Sequence, residues 1–360
     1  MILNNYVFLE LIILIRYKFY LLGVFMRIES ILYNKLDNNN VQCNVCNHRC
    51  IIPKNHKGLC NLRENINSVL YFNNYGILSS LNVDPIEKKP LYHFLPSSLA
   101  YSIGGFSCNM SCLACQNYMI SQESYNKNIA IEISPENIVK NAINHNCKSI
   151  AYTYNEPTVS LEYVHDIASI AHENNIKNVF ISNGYMSPEA LDYILPYIDA
   201  FNIDLKFIEN TLYKKICNAN INGVLENLKT INKSSSHLEI TNLLIDNLND
   251  SKEDIEKLVN FIVNELSTDI PLHFSRSFPY FKMMDINPTK EFRMMRGYDI
   301  AKNMGLKYVY LGNISSNQNT YCPECGEILI KRNGYFTSDL GKIINGKCSN
   351  CNCSLNFILE

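Results

Sequence analysis

From about residue 99 the chain alternates short runs of β-branched and aromatic residues with longer stretches whose apolar positions recur at helical spacing. Seven runs predict strands: LAYSI from Leu99, SIAYTY from Ser149, NVFIS from Asn178, AFNIDL from Ala200, LEITNLL from Leu238, PLHFS from Pro271 and KYVYLG from Lys307. The stretches between them carry helix start signals. Ser134-Pro135-Glu136 and Ser187-Pro188-Glu189 each offer a serine N-cap with proline in the first turn. VSLEYVHDIASIAHENN sets Leu161, Val164, Ala168 and Ala171 on one helical face. Apolar strands joined by helices make a parallel sheet covered by helices. About six such units predict an α/β fold, a partial (β/α)6 TIM-like barrel, whose reactive groups belong at the strand C-termini. No G-x-G-x-x-G follows any of these strands and no Walker lysine appears, which argues against a nucleotide-binding open sheet.

The pattern changes outside this region. Residues 6–26, YVFLELIILIRYKFYLLGVFM, are strongly apolar but broken by Glu10, Arg16 and Lys18, so no uncharged run approaches the roughly 20 residues that span a bilayer. No small-residue cleavage site marks a signal peptide. The expectation is that residues 1–25 are upstream sequence and that translation starts at Met26; a membrane-associated segment is the alternative. The expected divisions are then a cysteine-rich module and linker at 26–95, the barrel at 96–315, and a small cysteine module at 316–360. NVDPIEKKPLYHFLPSS reads as the linker.

A net charge of −2 provides no field to gather nucleic acid or anionic lipid, so neither is expected as a partner. Fourteen cysteines are the informative part of the composition. A disulfide scaffold is normally much shorter, and CxxC spacings suit metals, so the chain reads as cytoplasmic, reduced and metal-loaded. Cys322-x2-Cys325 and Cys348-x2-Cys351, separated by a hairpin-like insert, form a zinc-ribbon pattern that leaves Cys353 spare. Cys43, Cys46, Cys50 and Cys60 suit structural zinc or an auxiliary iron–sulfur cluster, with His48 or His56 as competing ligands. Spacing does not separate the two, and zinc is the expectation.

GGFSCNMSCLACQNY holds only three thiols, Cys108, Cys112 and Cys115, on a loop after the first barrel strand. Three thiolates can hold three corners of a [4Fe–4S] cubane and leave the fourth iron for a small molecule. The C-x3-C-x2-C spacing resembles the signature of the radical S-adenosylmethionine (SAM) superfamily. DPIEKKPLYHFLPSS, YTYNEPT, ISNGY, NIDLKF, EITNLLID, HFSRSFP and KYVYLGN follow in the order of one branch, the AmmeMemoRadiSam-system enzymes, relatives of the pyruvate formate-lyase activating enzymes.

That resemblance implies a cluster on Cys108, Cys112 and Cys115 with SAM chelating the open iron. It also implies reductive cleavage to a 5′-deoxyadenosyl radical that takes hydrogen from a substrate, which activating-enzyme relatives suggest is a protein. An electron donor such as flavodoxin or ferredoxin is implied as well. Glu156, helped by Asn155, matches the position that receives the SAM ammonium, and Ser182-Asn183-Gly184 resembles a SAM-contacting turn. Asp204 and Lys206 match a motif near the methionine part of SAM, or form a structural ion pair. His273 offers a contact to ribose or substrate, or is a satisfied scaffold residue, and Arg276 offers a grip on a carboxylate or phosphate. Ala114 replaces the aromatic residue that often precedes the third cysteine, which leaves Tyr118 as a platform for adenine. Cys147 and Cys217 read as ordinary buried thiols. The competing class is a zinc-stapled binding module without redox chemistry.

Overall fold

The computed structural model describes residues 27–315 and 317–360. The apolar stretch at 1–25 and the Met26 start lie outside them. All seven expected strands form, and each pairs in parallel with the next: β2 (Leu99–Gly104), β3 (Ser149–Tyr152), β4 (Lys177–Ser182), β5 (Ala200–Asp204), β6 (His237–Leu244), β7 (Leu272–Arg276) and β8 (Val309–Gly312). An antiparallel edge strand, β1 (Ser80–Pro85), completes the eight-stranded sheet by pairing along β2.

The crossovers contain α1 (Pro135–Asn144), α2 (Leu161–Glu173), α3 (Pro188–Ile194), α4 (Asn210–Cys217), α5 (Ile221–Asn232), α6 (Lys252–Phe261) and α7 (Glu291–Asn303). Ser134 and Ser187 cap α1 and α3, accepting from the amides of Asn137 and Ala190. Each cap satisfies a first-turn donor that would otherwise be left open.

Alternation along the strands sorts the side chains. Ile150, Tyr152, Phe180 and Phe201 join the helix-side core, while Ala100, Ala151, Val179 and Ala200 face a second, smaller cluster with Ile86, Leu91, Phe94 and Leu95. Three alanines leave room inside the barrel, and residues 86–95 fill it. This is the stretch that reads as a linker in the sequence. It is a plug, continuous with the edge strand, so the sheet begins before residue 96.

The C-terminal module closes the same end. Phe94 bridges to Ile358, His93 stacks on Phe357 at 3.9 Å, and Arg332 donates to the Tyr92 carbonyl and lies over its ring. Its hairpin, Ile328–Asn333 with Phe336–Asp339, matches the expected insert. The N-terminal module is attached by a buried ion pair: Arg63 donates to both carboxylate oxygens of Glu162 on α2 at 2.7 and 2.8 Å.

His93 gives the plug a pH dependence. The Asn356 carbonyl can only accept, so Nδ1–H donates to it, while Nε2 lies 2.7 Å from the Tyr310 hydroxyl. Burial pushes His93 from its ordinary 6.5 down to about 3. Between those values the unfolded chain binds a proton that the folded chain does not. Stability is therefore full above the upper value and falls as pH drops, by at most about 1.4 kcal/mol per unit. A urea-midpoint series from pH 7 to 5 should show this slope and His93→Phe should flatten it; an unchanged slope in the variant would assign the acid sensitivity elsewhere.

Candidate functional site

The three-cysteine loop leaves the C-terminal end of β2 and is fixed on two sides. The Ser111 and Leu113 amides donate to the carbonyls of Cys217 and Ile216 at the end of α4, at 3.2 and 2.9 Å. On the other side Asn155 uses its whole amide: Oδ1 accepts from Gly105 N, while Nδ2 donates to the carbonyls of Phe106 and Ser107. Gly104 is required by close packing, since a Cβ there would meet Tyr154 Cδ2 at 2.8 Å. Tyr154 itself sits at φ +71°, an uncommon conformation for a bulky residue. Its hydroxyl donates to Asp84, and Lys89 lies 4.7 Å above its ring. Asp84, held well below the usual carboxylate range by Lys88, Lys89 and Tyr154 against the cost of burial, therefore braces the turn that leads to Glu156.

Glu156 is buried and joins the ends of β3 and β4. Its Oε1 accepts from the Thr158 amide and hydroxyl and from Ser182 Oγ; its Oε2 accepts from the Asn183 amide. Burial raises its pKa despite these donors. Asn183 is thereby aimed at the cysteine loop, where Nδ2 donates to Asn109 Oδ1 at 2.8 Å and lies 3.6 Å from Cys108 Sγ. The Met110 amide donates to the same sulfur at 3.3 Å. Burial raises the pKa of the free Cys108 thiol; a metal-bound thiolate there would accept both N–H groups without a proton of its own. Gly184, at φ +70°, makes the turn possible.

Asp204 and Lys206 form an ion pair of 2.8 Å at the end of β5. Lys206 lies near Cys112, and its charge helps pull that thiol down to about 7, though the first cause is a hydrogen bond from Cys217. Cys217 is thus a neighbour of the loop and not an isolated core thiol. Tyr118, the expected adenine platform, stacks on Phe281 at 4.6 Å, so one of its faces is covered. Arg276 donates to the Thr289 carbonyl and to Glu291, which bind it to the following loop.

The structure brings Cys108, Cys112, Cys115, Asn155, Glu156, Ser182, Asn183, Asp204 and Lys206 to one end of the sheet. His273 does not join them. Near the start of β7, its Nε2 pairs with the buried Glu239 at 2.6 Å and its ring packs against Tyr92 and Tyr310. Glu239 also accepts from the amides of Tyr92 and His93, which makes this the anchor of the plug and accounts for His273 as scaffold. Asn109 and Asp84 were missed as site residues. Each sits inside a quoted motif, but its role depends on partners 74 and 70 residues away.

At the C-terminus Cys322, Cys325, Cys348 and Cys351 place their sulfurs within 4.8 Å of one another, a grouping able to hold one metal ion. Cys353, spare by spacing, lies only 3.3 Å from Cys322.

A three-thiol loop after the first parallel strand of a barrel-like sheet is an arrangement able to hold an iron–sulfur cluster, and the class of protein follows from comparison with known proteins. Residues 103–262 match the model of the radical SAM superfamily, to which this chain belongs. It is 43% identical to the uncharacterized protein MJ0808 of Methanocaldococcus jannaschii over 92% of this chain and 99% of that protein. It is 24% identical to the pyruvate formate-lyase-activating enzyme of Clostridium pasteurianum over 44% of this chain and 66% of the relative. A radical SAM methyltransferase from Sphaerobacter thermophilus aligns with a TM-score of 0.48 at 15% identity, over 60% of this chain and 66% of that one. Superfamily membership implies a [4Fe–4S] cluster and SAM, and makes the chain an enzyme of reductive SAM cleavage. The reading as a zinc-stapled binding module without redox chemistry is not favoured. Among the described residues no helix is long and apolar enough to cross a membrane.

Proposed function

We propose that Cys108, Cys112 and Cys115 hold the cluster, that Glu156, Asn155, Ser182, Asn183, Asp204 and Lys206 shape the SAM site beside it, and that the substrate is a protein. The bound cluster supplies one electron to the SAM sulfonium, which yields methionine and a 5′-deoxyadenosyl radical. The chain's own tasks are positional. Asn155 holds the start of the loop, Glu156 fixes the β4 turn, and Asn183 donates to the Cys108 sulfur, a contact that favours the more reduced cluster. The observation that carries the reading is the convergence of Asn183 and Met110 on Cys108 at the strand C-termini. Lys206 and Asp204, paired with each other at the end of β5, would exchange that pairing for the two charged ends of the SAM methionine.

The protein substrate is supported by exposed Met119, Phe278, Tyr280 and Met284 on and around the loops that meet at the Tyr118–Phe281 stack. The activating enzymes among the relatives support it too. A cytoplasmic protein reduced by a flavodoxin or ferredoxin fits the reduced thiols. After anaerobic reconstitution, dithionite and SAM should give 5′-deoxyadenosine, and Cys108→Ala should reduce it to background. Equal yields from both proteins, or none from the intact one, would overturn the proposal. A macromolecular fraction of cell extract, rather than the small-molecule fraction, should stimulate turnover.

A further inference from the structure

We propose that Cys43, Cys46, Cys50 and Cys60 hold a second [4Fe–4S] cluster, which passes electrons to the loop cluster through a wall that both sites share. Four observations carry this. First, all four cysteines line one cavity, together with Val45, Ile52, Leu59 and Val159. Of the histidines that compete by sequence, His56 lies outside the cavity, with Nδ1–H donating to the Lys54 carbonyl, while His48 lines it but has Nε2–H committed to the Asn109 carbonyl.

Second, no three of these thiols have their sulfurs within 4.8 Å of one another. Tetrahedral zinc with Zn–S bonds of about 2.3 Å sets its sulfurs about 3.8 Å apart. The C-terminal four meet that requirement, with sulfurs inside 4.8 Å of one another. Among the described residues no other group of three or more His, Cys, Asp or Glu ligand atoms does so. The N-terminal four share that wider spacing with Cys108, Cys112 and Cys115. A cubane carries its ligands on four separate irons and spans such a gap.

Third, two buried donors on the cavity lining have no acceptor: Arg63 Nε and Asn109 Nδ2. Both residues are at least nine-tenths buried, at 1% and 4% exposure. Unpaired donors beside four thiols suit an anionic body with sulfide acceptors.

Fourth, Asn109 belongs to both sites. It lines the N-terminal cavity, accepts from Asn183 beside Cys108, and stands next to Cys108 in the chain. The N-terminal module is bound to the same turn, with Cys46 bridging to Met186, Asn47 N donating to the Tyr185 carbonyl and Ser187 Oγ to the Asn44 carbonyl.

The step is a one-electron relay. A low-potential, one-electron protein donor reduces the N-terminal cluster, which returns to its oxidised state by passing that electron to the loop cluster; no bond forms or breaks. The recipient rests on the function proposed above, but the second cluster does not. The chain, reconstituted anaerobically with iron, sulfide and zinc all supplied, is compared with the loop variant Cys108→Ala/Cys112→Ala/Cys115→Ala. The loop variant leaves the N-terminal set intact and should retain about four irons and four sulfides per chain, against about eight of each in the parent. A colourless loop variant that holds zinc at the N-terminal set would overturn the proposal. Parent protein lacking loop-dependent iron would instead defeat the function proposed above.

For the relay, Cys60→Ser should lose flavodoxin-driven 5′-deoxyadenosine formation while keeping the dithionite-driven reaction. Equal flavodoxin-driven rates in Cys60→Ser and parent would refute it. If Cys60→Ser does not fold, reduction of the N-terminal cluster by flavodoxin in the loop variant, followed by electron paramagnetic resonance, decides the same point: no reduction would refute the relay.

Discussion

Glu162→Ala should lower the unfolding free energy by about 3–5 kcal/mol, because it leaves Arg63 charged and buried without its partner. Both side chains are 1% exposed. Burial alone would raise the Glu162 carboxyl, but the guanidinium overrides it and holds the group below its usual range. The Ser30 hydroxyl and the Ile31 amide also donate to Glu162, so the loss extends to the segment just after the strand Ile28–Glu29 that opens the N-terminal module. Arg63→Met/Glu162→Leu should recover most of the stability, since neither charge is then buried. Urea denaturation of the three proteins measures both effects. A single variant within about 1 kcal/mol of the parent would mean that the pair does not hold the module to the barrel.

Glu156→Ala should have the larger effect on activity. It removes the acceptor for two amides and two hydroxyls at once, and each buried donor left open costs about 1–3 kcal/mol. The β4 turn then loses its tie to β3, and Asn183 is no longer aimed at Cys108. The expected result is loss of 5′-deoxyadenosine formation together with a lower urea midpoint. Glu156→Gln keeps one carbonyl acceptor but brings an NH2 group toward donors, so it should fall between the two. Full activity at parental stability in Glu156→Ala would remove the carboxylate from the site.

The barrel was legible because its strands are buried on both faces and its helices carry their start signals in the local sequence, as at Ser134 and Ser187. The plug was not. Leu91 and Phe94 follow no period, and the edge strand SLNVDP ends in proline with Val83 exposed, so nothing local separates it from a linker. The cysteines could be grouped from spacing alone, because each set lies within a short stretch of chain. Which way His273 points could not, since Glu239 on the neighbouring strand decides it. Asn109 is the same kind of case: between two cysteines it looks like filler, and only the fold puts Asn183 and His48 against it.

The closure of the barrel floor also sets a timetable. His93 lies 263 residues ahead of Asn356, whose carbonyl it needs. At about 5–20 residues per second of synthesis, the plug waits roughly 13–50 s for its cover. During that interval the nascent barrel has an open floor, with Tyr92, His93 and Phe94 lacking their final partners. Docking of the C-terminal module then follows synthesis of the barrel, and its four thiols, a grouping able to hold one metal ion, would tie that closure to metal supply.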